Sequence, residues 1–435
     1  MIAAVVVFAV TAMAQVTSEP LTLSRAIERA LTGNPDALES EWRVDEAAGR
    51  AEQARSARLP VLKTRAAYDA STEDQRLFPA TANGEAGVFG PDVWGAELVL
   101  SLPLYTGGRV TSEIKGTELL RLAAEGQLAR TREGLIYNVT ALFYGLLAQK
   151  EVIASVESAV QAMEEQRRSI AEQMDAQKAA RVDLLRAEVR LAALREILSR
   201  ERNGLTAQQR AFAAVLGWES PQSPEIAGEL RALEAPSCPD AAACLRQALA
   251  RRVDYAAARH SVAAQERAVE STRAGYRPTV SLQAAYGERW MPDPAVRPAG
   301  ADEAQDVGRI GLVAEWPLFE GGLTAARVRE QTAKLNSARE RVRKLELQVR
   351  YEVETALADI TSARERVAIL SQSVEQARES FRLIKEKYDL GKGTLTDVLD
   401  AQSAQVLQET AQARAFADLV LADARRKLAV GDGIP

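Results

Sequence analysis

Hydrophobic residues in the second half of the chain recur at alternating spacings of three and four over a long stretch without proline. This spacing is typical of a coiled-coil seam. A helix from Thr324 to near Tyr388 with this pattern would be about 100 Å long, which predicts a rod, a stalk or a tunnel wall. The seam positions are Leu335, Ala338, Val342, Leu345, Val349, Val353, Ala356, Ile360, Ala363, Val367, Leu370, Val374, Ala377, Phe381, Ile384 and Tyr388.

Four other segments alternate between apolar and polar residues with a period of two, which predicts β-strands. They are "PVLKTRAAYDA", "VWGAELVLSL", "TVSLQAAYG" and "RIGLVAEW". In the first, Leu62 and Tyr68 face one way, whereas Lys63 and Arg65 face the other. The pattern fits a transmembrane strand with a lipid side and a lumen side, but it fits a half-buried soluble sheet equally well.

The number of strands limits the membrane interpretation. A sheet in lipid cannot leave an edge unpaired, and about eight strands are needed to close a barrel. If the four strands span a membrane, several chains must contribute to one barrel. This interpretation predicts an obligate oligomer.

The chain is an internal duplication. "PLYTGG" at 103–108 recurs as "PLFEGG" at 317–322, an offset of 214, whereas upstream segments such as the one around Tyr68 recur at an offset of 218. The sequence predicts one repeat over 15–217 and another over 218–435. The predicted strands are at about 60–71, 92–104, 278–288 and 308–318, and the predicted helical hairpins are at 109–217 and 323–431.

The N-terminus predicts export. A short apolar run ends in Ala12-Met13-Ala14, a pattern suited to signal peptidase, so residues 1–14 are expected to be a signal peptide even though no Lys or Arg precedes the run. The net charge of −5 is spread over both signs without a basic stripe, so no nucleic-acid partner is expected.

Candidate chemistry is sparse. Cys238 and Cys244 are the only cysteines; in an exported protein a local disulfide is favoured over two unpaired thiols, and a metal site is disfavoured because His260 has no partner motif. No nucleophile–base constellation occurs, so we expect neither an enzyme nor a cofactor.

The segment "YDLGKGTLTDVLDAQ" at 388–402 contains two closely spaced aspartates, Asp397 and Asp400. It lacks the strand and the spacing of a phosphate-binding loop. Thr394 and Asp397 have the spacing of a helix capping box. Elsewhere, glycine pairs are expected to provide conformational freedom where a strand passes into a helix. These pairs are Gly107, Gly108, Gly321 and Gly322.

The duplicated order, the "PLYTGG"/"PLFEGG" pair, the entry "LTLSRAIERALTGNPD" and the 388–402 segment together resemble the TolC-type outer-membrane efflux proteins. The resemblance covers essentially the whole chain after the signal peptide. It implies an α+β membrane protein, a homotrimer in outer-membrane lipid, whose four strands per chain build a twelve-stranded β-barrel. The long hairpins would form a periplasmic tunnel.

The family resemblance also implies a function. Such proteins are exit ducts of tripartite efflux pumps or type I secretion systems, and they dock to a periplasmic adaptor protein and an inner-membrane transporter. The alternative is a periplasmic adaptor, or a coiled-coil scaffold, without its own pore. The sequence leaves the cargo open between drugs, metals and proteins.

By the same resemblance, Asp397 and Asp400 match the acidic positions that ring the narrow periplasmic entrance. Three copies would crowd six carboxylates around one axis, which favours cations and raises some of their pKa values. Tyr388 and Asp183 match positions of the hydrogen-bonded network that holds the entrance closed.

The sequence departs from the family pattern at this network. Gly393, with Lys392 beside it, stands where some relatives carry an arginine. In the first repeat, Arg186 aligns with Asp400, and it is expected to supply a basic partner for the network.

Overall fold

The computed structural model describes residues 20–78, 88–219, 224–230, 240–290 and 304–433. The described residues form two compact units. The first unit contains the residues up to Glu41, Leu128–Val253 and the residues from Glu346 onward. The second unit contains Trp42–Gln127 and Asp254–Leu345.

The order of elements occurs twice, as two helices, two strands and two long helices. In chain order the elements are α1 Leu23–Gly33, α2 Pro35–Ser56, β1 Val61–Phe78, β2 Val88–Tyr105, α3 Arg109–Asp175, α4 Arg181–Val215, α5 Ala241–Arg251, α6 Val253–Arg273, β3 Thr279–Trp290, β4 Ala304–Glu315, α7 Leu323–Asp389 and α8 Leu395–Val430. A short 3₁₀ helix at Ala274–Tyr276 precedes β3. At 67 residues each, α3 and α7 are about 100 Å long.

The second unit contains an antiparallel sheet in the order β1-β2-β3-β4. Its two hairpins have the same register: Val61 pairs with Ser101, and Thr279, its repeat equivalent, pairs with Glu315. One face is apolar and includes Leu62, Leu98, Leu100, Leu282, Ile310 and Leu312, and the opposite face includes Lys63, Arg65, Glu97, Gln283 and Arg309. The alternation predicted from the sequence is therefore present.

The long helices bury the predicted seam. Val349, Val353, Ala356, Ile360 and Val374 are almost fully buried, and every other seam position is buried or half-buried. In the first unit, α7 packs on α8 through Ile360, Ala363, Val367, Ala415, Leu419 and Ala422. The helix α3 includes an 18-residue window apolar enough to cross a bilayer, but 56% of that window is buried within the protein, as in a core helix.

The strands differ from their predicted bounds. β1 continues to Phe78 and β2 begins at Val88, several residues beyond the prediction. The backbone pairing resumes at Gln75 with Gly90 after a register shift, beyond a polar stretch of β1 that has no hydrophobic alternation. β4 ends at Glu315 rather than near 318. The strand stops there because Pro317 has no amide hydrogen to donate to a neighbouring strand.

The signal peptide predicted at 1–14 lies outside the described residues, and so does Cys238. Cys244 is fully buried in α5 and is disulfide-bonded.

Candidate functional site

The candidate site lies where α7 turns into α8, in the first unit. Leu395, Val398 and Ala401 are buried, and Leu395 packs in a cluster with Met163, Ile170 and Leu191 of α3 and α4. This packing fixes one face of the first turns of α8. Asp397 and Asp400 lie on the opposite face and are exposed to solvent.

Asp397 also caps α8. Its carboxylate accepts hydrogen bonds from the Thr394 backbone amide at 3.2 Å and from the Thr394 hydroxyl at 2.6 Å. The Thr394 hydroxyl in turn accepts from the Asp397 amide at 3.2 Å, which completes a capping box. These hydrogen bonds lower the pKa of Asp397, so within one chain the cap opposes the rise expected from crowding of carboxylates.

Tyr388 connects the two hairpins. Its ring packs against the cluster that holds Leu395, and the Gln166 side chain of α3 lies close to its hydroxyl. Burial raises the pKa of Tyr388, and the nearby carboxylate of Asp183 raises it further. The structure thus brings Tyr388 and Asp183 close together. Gln166 is a further partner that the sequence did not reveal.

Two arginines, Arg186 and Arg190, act as the basic partners at the hairpin end, where the sequence predicted Arg186 alone. The Arg186 guanidinium lies 3.8 Å from the Asp183 carboxylate and donates to the Thr396 hydroxyl at 3.4 Å. Burial lowers the pKa of Arg190, and the nearby Asp400 carboxylate opposes that shift. Arg190 is therefore within electrostatic range of Asp400, and its Nε is buried without a hydrogen-bond partner in the described structure.

Lys392 and Gly393 form the turn. The Lys392 amide donates to the Lys387 carbonyl at 2.8 Å, and the Lys392 side chain has no hydrogen bond or ion pair within the described residues. A Cβ at Gly393 would lie 3.2 Å from the Tyr388 backbone nitrogen. The position of Gly393 is therefore too close to the preceding helix for a side chain to fit without adjustment.

The strand-to-helix passages lie in the second unit. Gly107, Gly108, Gly321 and Gly322 all have left-handed φ angles, between 59° and 92°, which L-amino acids with side chains rarely adopt. Gly107 is also in close contact with the segment before β3: its carbonyl accepts from Arg277 at 2.8 Å, and a Cβ would lie 2.9 Å from the Ala274 carbonyl oxygen.

The charged groups at the hairpin ends, the exposed Asp397, Asp400 and Arg186 and the half-buried Asp183 and Arg190, form no nucleophile–base arrangement. Among the described residues, no cluster of His, Cys, Asp and Glu could hold a metal ion. The site therefore offers an electrostatic surface and a set of contacts between helices.

Comparison with known proteins agrees with these features. The chain is 24% identical over 345 residues to the outer membrane efflux protein BepC of Brucella suis, covering 79% of this chain and 72% of BepC. It is 24% identical to the cobalt-zinc-cadmium resistance protein CzcC of Cupriavidus metallidurans, covering 92% and 90%. The CmeC outer membrane channel of Campylobacter jejuni shares its fold with a TM-score of 0.81 at 18% identity, covering 95% and 86%.

The family model for outer membrane efflux proteins matches twice, at residues 26–218 and 244–431. The fold class predicted from the sequence, long helical hairpins with four strands per chain, is confirmed by these channel structures. The protein is located in the cell outer membrane, with its helices in the periplasm. The chain belongs to the outer membrane efflux protein family, a family of channel proteins rather than enzymes.

Proposed function

We propose that three copies of the chain form a passive exit duct for a tripartite efflux pump or a type I secretion system. The observation that carries this proposal is the sheet: within the described residues it has four strands, an apolar face and two unpaired edges, β1 and β4. Unpaired backbone groups are costly in lipid, and four strands are too few to close a barrel. Three copies supply twelve strands and remove every edge.

The apolar face has dimensions suited to a bilayer. Tyr68 and Trp94 are in tilted contact, with ring centroids 4.5 Å apart, at one end of the apolar part of β1 and β2, while Tyr105 ends β2 and Trp316 follows β4 at the other end. From Trp94 to Tyr105 the strand is about 37 Å long, which corresponds to about 26 Å of height at a tilt of about 45°. Aromatic residues at both ends match the interfacial belts of membrane barrels.

The hairpin end supplies the gate. Threefold repetition of Asp397 and Asp400 gives six exposed carboxylates around one axis, a negative ring that favours cations. Neighbouring helices are linked at the same end by Tyr388 with Gln166 and Asp183, by Arg186 with Thr396, and by the attraction between Arg190 and Asp400. Opening of this end requires those contacts to separate, and we assign that work to a periplasmic adaptor and an inner-membrane transporter.

The two repeats have the same composition of elements. We propose boundaries at 15–217 and 218–435, since each segment carries one strand pair and one long hairpin. The protein performs no catalysis in this role and needs no cofactor.

Reconstitution of the purified protein in planar bilayers tests the proposal. We expect discrete, cation-preferring conductance from a species whose native mass is three chains. A monomer in detergent that never conducts would instead support the alternative of an adaptor or scaffold without a pore.

A further inference from the structure

The two edges of the sheet are related by the internal repeat to a strand pair that the structure already contains. In one chain, β2 of the first repeat pairs with β3 of the second repeat. Applying the repeat offsets of 214 and 218 converts β2 into β4 and β3 into β1. The β2–β3 pair is thus a template for a β4–β1 pair, which a single chain cannot make because these strands lie at opposite edges.

From this template we infer that β4 pairs antiparallel with β1 of a second copy in one defined register. This inference rests on the proposed trimer and adds the residue pairs at the barrel seam, by which we mean the contact between β4 of one chain and β1 of the next. Leu98 with Tyr286 and Val99 with Ala285 are pairs in the structure. Their repeat equivalents are Leu312 with Tyr68 and Val313 with Ala67, and between these pairs and Glu315 the register also sets Ala314 opposite Ala66.

The residue types support this register. Leu312 opposite Tyr68 and Val313 opposite Ala67 reproduce the residue types of the template pairs without change. Because cross-strand neighbours determine how well a register packs, unchanged types at two successive pairs favour the same register. A slip by one residue would instead place apolar and polar residues on the same face.

One pair differs between the template and the inferred β4–β1 pair. In the template, Glu97 faces Gly287, where an added Cβ would lie 2.1 Å from the Ala96 carbonyl oxygen. The repeat offsets place Asp69 at the position of Gly287 and Gly311 at the position of Glu97. The two strands must therefore lie slightly farther apart at this pair than in the template, although the glycine on β4 removes one of the two side chains.

The charges on the polar face also complement each other. The template pair Ser101 and Gln283 is uncharged, whereas its seam equivalent places Glu315 opposite Arg65. Glu315 has no ion pair within the described part of a single chain, and Arg65 extends along the same face to Glu97 at 3.3 Å. The second copy would therefore give Glu315 its partner.

Cysteine cross-linking in outer membranes tests the register. Ala66→Cys with Ala314→Cys, and Ala67→Cys with Val313→Cys, place cysteines directly opposite each other, within disulfide range. Thr64→Cys or Tyr68→Cys with Ala314→Cys are off-register by two, where diagonal neighbours are about 7–8 Å apart. Leu100→Cys with Ala284→Cys is the matched control, since this template pair lies within one chain.

After mild oxidation we expect covalent dimers and trimers from at least one in-register variant, at about tenfold the yield of the off-register variants. The control should lose its free thiols without forming multimers, and the parent chain should form none. The register would be overturned if an off-register variant cross-linked more strongly than the in-register variants. It would also be overturned if the in-register variants formed native trimers but no cross-links under conditions that oxidise the control. In both cases the trimer itself would stand. Absence of any trimer by native mass would overturn the proposed function itself.

A charge exchange provides a second test where cysteine variants fail to assemble. Glu315→Arg should lower the temperature at which the trimer dissociates, Glu315→Gln should lower it less, and Arg65→Glu added to Glu315→Arg should restore it. Equal dissociation temperatures for Glu315→Arg and its double variant would contradict the pairing.

Discussion

Gln177 and Gly391 occupy equivalent positions in the two hairpin turns, and both have a left-handed φ, of 57° and 72°. The turns share their hydrogen bonds: the Gln177 amide donates to Met174 and the Gly391 amide donates to Tyr388, each at 2.9 Å. The first hairpin therefore adopts, with a bulky side chain, the backbone conformation for which the second uses glycine.

The substitution Gln177→Gly should stabilise the first hairpin. A residue with a side chain pays about 1–2 kcal/mol for the left-handed conformation, and glycine loses part of that gain through backbone entropy. We expect a net gain of about 0.5–1 kcal/mol, measured by hydrogen exchange of the turn amides. Gln161→Gly, at an exposed position inside α3, should instead cost about 1 kcal/mol. Equal effects at both positions would show that the turn is not strained.

Loss of the α8 cap should destabilise the second hairpin. Thr394→Ala removes the hydroxyl of the capping box, and such changes cost about 1 kcal/mol. Hydrogen exchange at the first amides of α8 should accelerate accordingly. Thr361→Ala is the matched control, because Thr361 lies inside α7 and bonds only to the Leu357 carbonyl; this change should leave exchange in α8 unaltered.

Much of this structure follows from local sequence patterns. The helix bounds, the capping box and the two faces of the sheet depend on periodicity and on neighbouring residues, so Thr394, Asp397 and the seam from Leu335 to Tyr388 were predictable. These features require no knowledge of which helices are neighbours.

The contacts between helices were less predictable. Arg186 and Arg190 are four residues apart on one helix face, and only the packing of α4 against α8 decides which of them approaches Asp400. Gln166, the partner of Tyr388, lies more than two hundred residues away in the sequence and carries no motif. The extension of β1 to Phe78 depends on pairing with β2 rather than on its own pattern.

The pH dependence of ion selectivity should respond to the cap. The hydrogen bonds from Thr394 lower the pKa of Asp397 below its ordinary 3.8, so the carboxylate remains charged until the pH falls through that lowered pKa. In Thr394→Ala the pKa moves back up, and cation preference should be lost at a higher pH than in the parent channel. Reversal potentials in a salt gradient measure this. In an Asp397→Asn background, Thr394→Ala should no longer shift the pH at which cation preference is lost. If Thr394→Ala alone left this pH unchanged, Asp397 would not be the group that sets the selectivity.

A buried ion pair in the first unit should dominate local stability. The Arg252 side chain is 1% exposed and lies 2.5 Å from the Glu352 carboxylate, which is 27% exposed. Removing one partner of a buried pair leaves an uncompensated charge, so Glu352→Ala should cost about 2–3 kcal/mol. Glu340→Ala, in an exposed pair with Arg343, should cost less than about 0.5 kcal/mol. Thermal unfolding distinguishes these outcomes; similar shifts would show that Arg252 draws its stabilisation from other groups.

Tyr388→Phe should make the entrance easier to open. The variant keeps the ring that packs beside Leu395 but loses the hydroxyl that lies beside the Gln166 side chain; a hydrogen bond between these two groups would contribute about 1 kcal/mol. If the contact exists only in the closed state, the open-to-closed ratio should rise about fivefold. Single-channel recordings measure this ratio directly.

Tyr351→Phe, at a position that is 68% exposed, is the matched control and should leave the ratio unchanged. Gln166→Leu should reproduce the effect of Tyr388→Phe, and combining the two should add little, because both changes remove the same hydrogen bond. Additive effects would assign Tyr388 a partner other than Gln166.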